Sequence, residues 1–322
     1  MAGDLLKLRV NRVTPEAEGI NSYELVDPTD ALLPEFTAGA HLDIHLPGGL
    51  IRQYSMCNDP AEGHRYVIAV QREAAGRGGS RIMYEEIKPG AFLKTSRPLN
   101  NFPLAEGANR YLLLAGGIGI TPLLAMARRL QHLGRAYVLH YSTRAPERTA
   151  FRELLSQAPF KDRVVFHHDG GDPSRGLDIK SLLAQRADGA ELYCCGPMPM
   201  MEAIKQAASH WPPEALHYEY FAAAPSVAPA QPTGASYVRI ASTGAVLTVP
   251  PNRSMLDVVR DAGFYVESSC EEGICGTCAT NYLDGEPEHR DQAMTAIDKQ
   301  KFKLVMICCA RVKPGSILTL NL

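Results

Sequence analysis

No stretch of this chain approaches the roughly 18 consecutive apolar residues expected of a membrane-spanning helix. Its opening residues, MAGDLLKLRV, place no long apolar segment behind a basic cap, so a secretory signal is not expected. A marked excess of charge of either sign is missing too. Lys and Arg number 33 against 35 Asp and Glu, a formal net charge of -2. Such a balance points to no nucleic-acid partner and no anionic membrane surface. There is no internal repeat. Among the cysteines, Cys275 and Cys278 form one C-x2-C knuckle, and the second knuckle of a zinc ribbon is absent. The expectation is a cytoplasmic protein.

What is present is a spacing. Cys270-x4-Cys275-x2-Cys278 is followed, after 29 further residues, by Cys308. Four soft thiolates at this interval are the plant-type pattern for a [2Fe–2S] cluster. Between them Gly273 and Gly276 let the backbone pass close by without a Cβ. A structural zinc site also takes four thiolates, but fits the spacing less well. Cys308 is followed directly by Cys309, so spacing alone leaves the fourth ligand open between them. The remaining cysteines read as free thiols of a reducing compartment.

At 322 residues the chain exceeds one comfortable core, and two or three domains are expected. Short strands at Leu5–Val13, Ile20–Val26, Leu42–Leu46 and Tyr66–Gln71, broken by Gly and Pro, predict an antiparallel β-barrel over residues 1–104. From Tyr111 buried strands alternate with helices: 111–115 with 123–133, 136–142 with 149–156, 164–167 with 179–186, and 192–195 with 200–209. That pattern predicts an α/β domain with a parallel sheet over 105–224. An Ala/Pro-rich stretch, 222–232, suggests an extended linker, set at 225–234. In the remainder, 235–322, a hairpin around Ser242-Thr243-Gly244 precedes a helix from Met255 to Asp261, capped by Ser254 and closed by Gly263. This reads as a β-grasp ferredoxin domain.

Three segments ahead of the cysteines carry binding chemistry. Arg52-Gln53-Tyr54-Ser55 offers a guanidinium fork for phosphate, an aromatic face for a flat ring and a hydroxyl for ring heteroatoms. Gly76-Arg77-Gly78-Gly79-Ser80-Arg81 runs into a helix expected near Ile82–Ile87, where exposed N–H groups favour an anion. Together they suit a phosphorylated ring compound. Gly116-Gly117-Ile118-Gly119-Ile120-Thr121-Pro122 follows a strand and opens a helix, a close-approach turn for pyrophosphate. It is not the usual G-x-G-x-x-G fingerprint, because Pro122 stands where the last glycine falls. Cys194-Cys195-Gly196-Pro197 ends the last of the expected strands, where ligands sit in such sheets, so Cys195 is placed to touch a cofactor.

These segments, with RPLNNFPL at 97–104 and CEEGICGTC at 270–278, resemble the phthalate dioxygenase reductase family over essentially the whole chain. The resemblance implies a reductase of an aromatic-ring oxygenase, or of a vanillate-type O-demethylase, with FMN, NADH and a [2Fe–2S] cluster. The C-terminal position of the ferredoxin domain favours FMN over FAD. Carried over by position, Arg52, Gln53, Tyr54, Ser55, Ala69, Val70, Gln71, Gly78, Gly79, Ser80 and Arg81 would hold FMN. Thr121 would lie near the flavin ring and Phe221 would pack on it. Gly116, Gly117, Gly119, Cys195, Gly196 and Pro197 would contact the nicotinamide nucleotide. The resemblance also implies Cys308 rather than Cys309 as fourth ligand, with Ala310 where serine is common.

Cys195, Thr121 and Ser55 are the residues expected at the reacting atoms, with the Cys195 thiol orienting the nicotinamide. A nicotinamide gives two electrons as hydride and a cluster takes one, so a flavin between them is the natural converter. The electrons would pass to a terminal oxygenase met transiently by a monomeric reductase. Arg144, after the second α/β strand, leaves a NADPH 2′-phosphate conceivable, although the resemblance favours NADH. Two alternatives stand beside this reading: a reductase serving an O-demethylase or haem monooxygenase, and a redox-responsive binding module.

Overall fold

The computed structural model describes residues 5–73, 78–221, 234–294 and 296–322. Gly76, Arg77 and nearly all of the expected linker lie outside them. The chain divides into two compact units, Met1–Phe221 and Ala222–Leu322.

The first unit opens with six strands: β1 (Leu6–Ala17), β2 (Ile20–Val26), β3 (His41–Leu46), β4 (Leu50–Ser55), β5 (Tyr66–Gln71) and β6 (Phe92–Thr95). Their sheet runs β4-β3-β6-β1-β2-β5. It curls shut where Met56, just past β4, bridges Ile68 of β5 and the Cys57 N–H donates to Val67 O at 2.8 Å. Closure removes the exposed edges. Inward residues such as Leu8, Tyr23, Leu42, Ile44, Tyr66 and Ile68 fill the interior. Helix α1 (Gly79–Glu86) plugs it with Met83, whose carbonyl accepts from the Tyr23 hydroxyl at 2.7 Å. That anchor fixes where the N-terminus of α1 points.

Five parallel strands follow: β7 (Arg110–Gly116), β8 (Ala136–Thr143), β9 (Val164–His168), β10 (Ala190–Cys195) and β11 (Leu216–Glu219), in the order β11-β10-β7-β8-β9. Helix α2 (Ile120–His132) covers one face and packs Leu123, Leu124 and Leu130 against Tyr141 and Leu113. The short α4 (Ile179–Leu183) and α5 (Met198–Ala207) cover the other with Leu183, Met201 and Ile204. The same core that holds α2 also takes Ile20, Ala38, Cys57 and Ala69 from the barrel. Barrel and α/β sheet therefore form one unit through shared apolar burial.

Expected bounds shift at several elements, the helix expected over 179–186 ending at Leu183, and two shifts have a plain local cause. The helix expected over 149–156 is only α3 (Arg152–Leu155), because Phe151 stands at φ 58 and the Thr149 hydroxyl donates to Ala145 O instead of leaving the chain to helix. The helix expected near 82–87 begins at Gly79, so Gly79, Ser80 and Arg81 form its first turn.

The second unit holds β12 (Ser236–Ile240), β13 (Val246–Val249), α6 (Met255–Asp261), β14 (Ala279–Asp284), β15 (Pro287–Glu288), α7 (Ala296–Gln300), β16 (Leu304–Met306), β17 (Arg311–Val312) and β18 (Ile317–Leu320). Its main sheet is ordered β13-β12-β18-β14-β16, with β12 and β18 parallel. Ser254 and Asp257 complete a reciprocal capping box on α6. Met255, Leu256 and Val259 of that helix bury against Ile307, Leu318 and Leu320. This is a β-grasp arrangement. Its cysteine loop lies between α6 and β14.

Candidate functional site

Strand β4 alternates its side chains as pleating requires. Arg52 and Tyr54 share one face, Gln53 and Ser55 the other. A methyl group built on Gly79 would stand 2.5 Å from Cγ and 2.9 Å from Nε of Arg52, so the arginine stem lies directly against the first turn of α1. Gly78 enters that helix at φ 85 without a side-chain cap. The N–H groups of the first helical turn have no intrahelical acceptors. Guanidinium and helix N-terminus thus meet at one place and suit a phosphate. The Ser80 hydroxyl accepts from the Glu73 N–H at 3.2 Å, and Arg81 is exposed. Tyr54 packs on the barrel core.

Gln53 does not join this cradle. Its amide donates to Asp43 Oδ1 at 3.1 Å and touches His41 Nε2 at 3.1 Å, which directs it into the sheet. Val70 belongs to the barrel core and Ala69 to the core shared with α2, so both offer a ligand chiefly backbone. The Gln71 side chain reaches Gly117, lying 4.0 Å from where a Cβ there would stand.

At the carboxyl ends of β7 and β10 two turns lie backbone to backbone. A Cβ on Gly119 would overlap the Cys195 carbonyl oxygen, and one on Gly116 would stand 2.6 Å from Pro197 Cδ. One on Gly196 would stand 3.1 Å from Gly116 Cα. Only glycines permit this approach, and the result is a narrow ledge where a dinucleotide can lie close to main chain. Gly117 is at φ 54, a conformation that favours glycine. Thr121 is buried and its hydroxyl donates to Ile118 O at 3.0 Å, securing the start of α2.

Cys195 is fully buried and stands beside Glu219 in the β10–β11 register. Burial first, then the Glu219 carboxyl and Cys194, hold its thiol well above the ordinary range. Glu219 was absent from the sequence-derived set. Its carboxyl receives the Ser55 hydroxyl from the barrel, yet burial outweighs that bond and pushes its pKa up to about 8. The other oxygen, Oε2, is buried with no hydrogen-bond partner. An orphaned buried oxygen at the junction of barrel and sheet fits a ligand bearing a hydrogen-bond donor. The signal for it was a carboxylate ending a strand on the ligand side of a parallel sheet. Ser55, Cys195 and Glu219 therefore converge. Phe221, two residues on, is 40% exposed. Arg144 is exposed at the end of β8, where its carbonyl accepts from Gly170 N–H at 2.9 Å.

In the second unit Cys270, Cys278 and Cys308 are buried and Cys275 is half-buried. Sulfur contacts group them as Cys270 with Cys275 and Cys278 with Cys308. Two thiolates for each of two irons is what a [2Fe–2S] cluster needs, whereas one tetrahedral zinc gathers four about a point. Main-chain N–H groups turn toward the sulfurs: Glu272 to Cys270 at 3.3 Å, and Gly273 to Cys308. Such donors favour thiolate over thiol. Glu271, Gly273 and Gly276 take φ of 57, 77 and 84, which coils the loop. The donor set fits the cluster.

The geometry defines a class: a flavin and nicotinamide junction in one unit, and a cysteine-ligated iron–sulfur domain in the other. Comparison with known proteins agrees. Residues 113–206 match the oxidoreductase NAD-binding domain, and 238–313 match the 2Fe-2S iron-sulfur cluster binding domain. The reductase subunit of tert-butanol monooxygenase / tert-amyl alcohol desaturase from Aquincola tertiaricarbonis is 46% identical, over 98% of this chain and 96% of that protein. Vanillate O-demethylase oxidoreductase from Pseudomonas sp. (strain HR199 / DSM 7063) is 44% identical, over 98% and 99%. A solved phthalate dioxygenase reductase, described as a modular structure for electron transfer from pyridine nucleotides to [2Fe-2S], superposes with a TM-score of 0.79. It is 41% identical and the match covers 99% of this chain and 98% of that one. The chain belongs to the phthalate dioxygenase reductase family. It is an NADH-dependent flavin iron–sulfur oxidoreductase whose cofactors are FMN, NADH and a [2Fe–2S] cluster.

Proposed function

We propose that this chain is the reductase component of a multicomponent aromatic-ring oxygenase, and that the residues gathered at the seam carry the hydride step. The observation that carries this reading is the meeting of Ser55, Cys195 and Glu219, one from the barrel and two from the sheet. FMN, once bound, supplies the conversion between a two-electron hydride and single electrons. Arg52 with the first turn of α1 binds the flavin phosphate, and Tyr54 and Phe221 offer aromatic faces to the ring. Gly116, Gly117, Gly119, Gly196 and Pro197 seat NADH against bare backbone. The Cys195 thiol and the Glu219 carboxyl both keep their protons near neutral pH. These two buried groups are therefore uncharged, and an uncharged lining that excludes water protects a hydride from loss to solvent. Cys270, Cys275, Cys278 and Cys308 hold the cluster that receives the electrons singly.

The partner is a terminal oxygenase met transiently. Relatives of similar identity serve a tert-butanol monooxygenase and a vanillate O-demethylase. The vanillate relative favours an O-demethylase as the second reading of the partner. No helix among the described residues is long and apolar enough to cross a membrane. A cytoplasmic monomer is proposed, supported by the buried thiols Cys57, Cys194 and Cys195, of the kind a reducing compartment keeps reduced.

An anaerobic absorption titration tests the reading. NADH is expected to bleach the flavin band and then the cluster band, with NADPH far less effective. Bleaching of flavin alone would remove the relay, and preference for NADPH would assign Arg144 to a 2′-phosphate.

A further inference from the structure

Beside the fourth cluster cysteine stands a fifth thiol, Cys309, that the four-ligand scheme does not use. Cys309 follows Cys308 in a turn where the Cys309 N–H and the Ala310 N–H both donate to Met306 O, at 3.2 and 2.9 Å. In a strand, consecutive side chains point to opposite faces. In a helix-like turn they diverge by only about 100°, so the two sulfurs can stay close to one another. The two thiols are in hydrogen-bonding contact. Cys309 Sγ also stands 2.5 Å from where a Cβ on Gly273 would sit, and Gly273 lies in the loop between Cys270 and Cys275. The bare glycine makes room for this sulfur. Its own bond to Met306 O is long, 3.7 Å, and thiols are weak donors, so little holds it in its present rotamer.

We propose that Cys309 is a reserve ligand for the iron served by Cys278 and Cys308. In the exchange the iron–sulfur bond to Cys308 breaks as one to Cys309 forms. Cys309 gives up its proton, Cys308 takes one up, and the iron keeps its oxidation state. The proposal rests on the cluster reading above. Its consequence is a cluster that survives loss of one ligand at Cys308 and no other.

The test uses the full chain with Cys308→Ala, Cys309→Ala and both together, read by iron and sulfide content and by electron paramagnetic resonance after chemical reduction. Cys308→Ala is expected to retain iron near the wild-type level with a shifted resonance, and the double variant to retain none. Equal iron in the single Cys308 variant and the double variant would overturn the proposal. A second arm needs no change at Cys308. Cys309→Ala should lose its visible cluster band to a chelator faster than wild type, on the order of tenfold, the scale on which groups beside a metal site alter its retention. Equal rates would overturn the proposal even if Cys308→Ala failed to fold. Wild-type protein that holds no iron would instead sink the cluster reading itself.

Discussion

At the scale of single residues, Glu219 has the most consequence. Its carboxyl pKa stands near 8 in the folded chain because burial penalises the charge more than Ser55 relieves it. An exposed glutamate in the unfolded chain titrates near ~4.3. Between these values the folded state holds a proton that the unfolded state has released, so stability falls as pH rises through that window. The contribution is complete below the lower value and gone above the upper one. Glu219→Gln retains shape and hydrogen bonding with no proton to lose. Its thermal midpoint should gain on wild type as pH rises from 6 to 8, by up to ~1.4 kcal/mol per pH unit or about 3 °C. A constant gap across that range, read by calorimetry, would mean that the carboxyl does not titrate there. Glu219 was passed over because β11 was not among the expected strands and its importance comes from desolvation; the barrel residue that hydrogen-bonds it, Ser55, lies 164 positions away. Cys195 was legible because its strand and the following Gly-Pro mark a ligand-side turn.

At the scale of elements, local rules served where local forces decide. The helix Met255–Asp261 with its Ser254 cap and the strand Ile20–Val26 were read at their observed bounds. Helix α3 was overstated because a tertiary bond network around Thr149 and Thr143 competes with helix. The start of α1 was misplaced because Gly78 and Gly79 looked like loop, although a left-handed glycine can cap a helix. The two apposed turns lend themselves to a test. Gly119→Ala would drive a methyl into the Cys195 carbonyl, and backbone cannot yield as a side-chain tip does. A loss of roughly 1–3 kcal/mol is expected from such overpacking, with a rise in KM for NADH larger than the fall in kcat. Unchanged KM would mean that the ledge is not where the nucleotide lies.

At the scale of the whole molecule, three sheets were foreseen, but not that the first two share one core. Composition marks a boundary where linkers are Pro-rich, and the barrel and α/β sheet meet through Cys57, Ala69 and Leu123 instead. The division between the compact units supports a clean separation of functions. Cys275→Ala should abolish the cluster bands while leaving NADH oxidation with ferricyanide near wild type. Reduction of cytochrome c should fall sharply, since the single-electron exit has gone. Equal losses with both acceptors would show that the units depend on each other for folding.

The strand order of the second unit has a consequence for biosynthesis. Its middle strand, β18, follows every cluster cysteine in sequence, and β12 and β14 both pair with it. A nascent chain can complete residues 1–221 while the ribosome is still translating the rest, because domains emerge and fold in order. The β-grasp sheet cannot close until its last strand is released. Its thiols are therefore exposed for a time to the iron-delivery machinery and to oxidants alike, after the flavin-binding half has already folded.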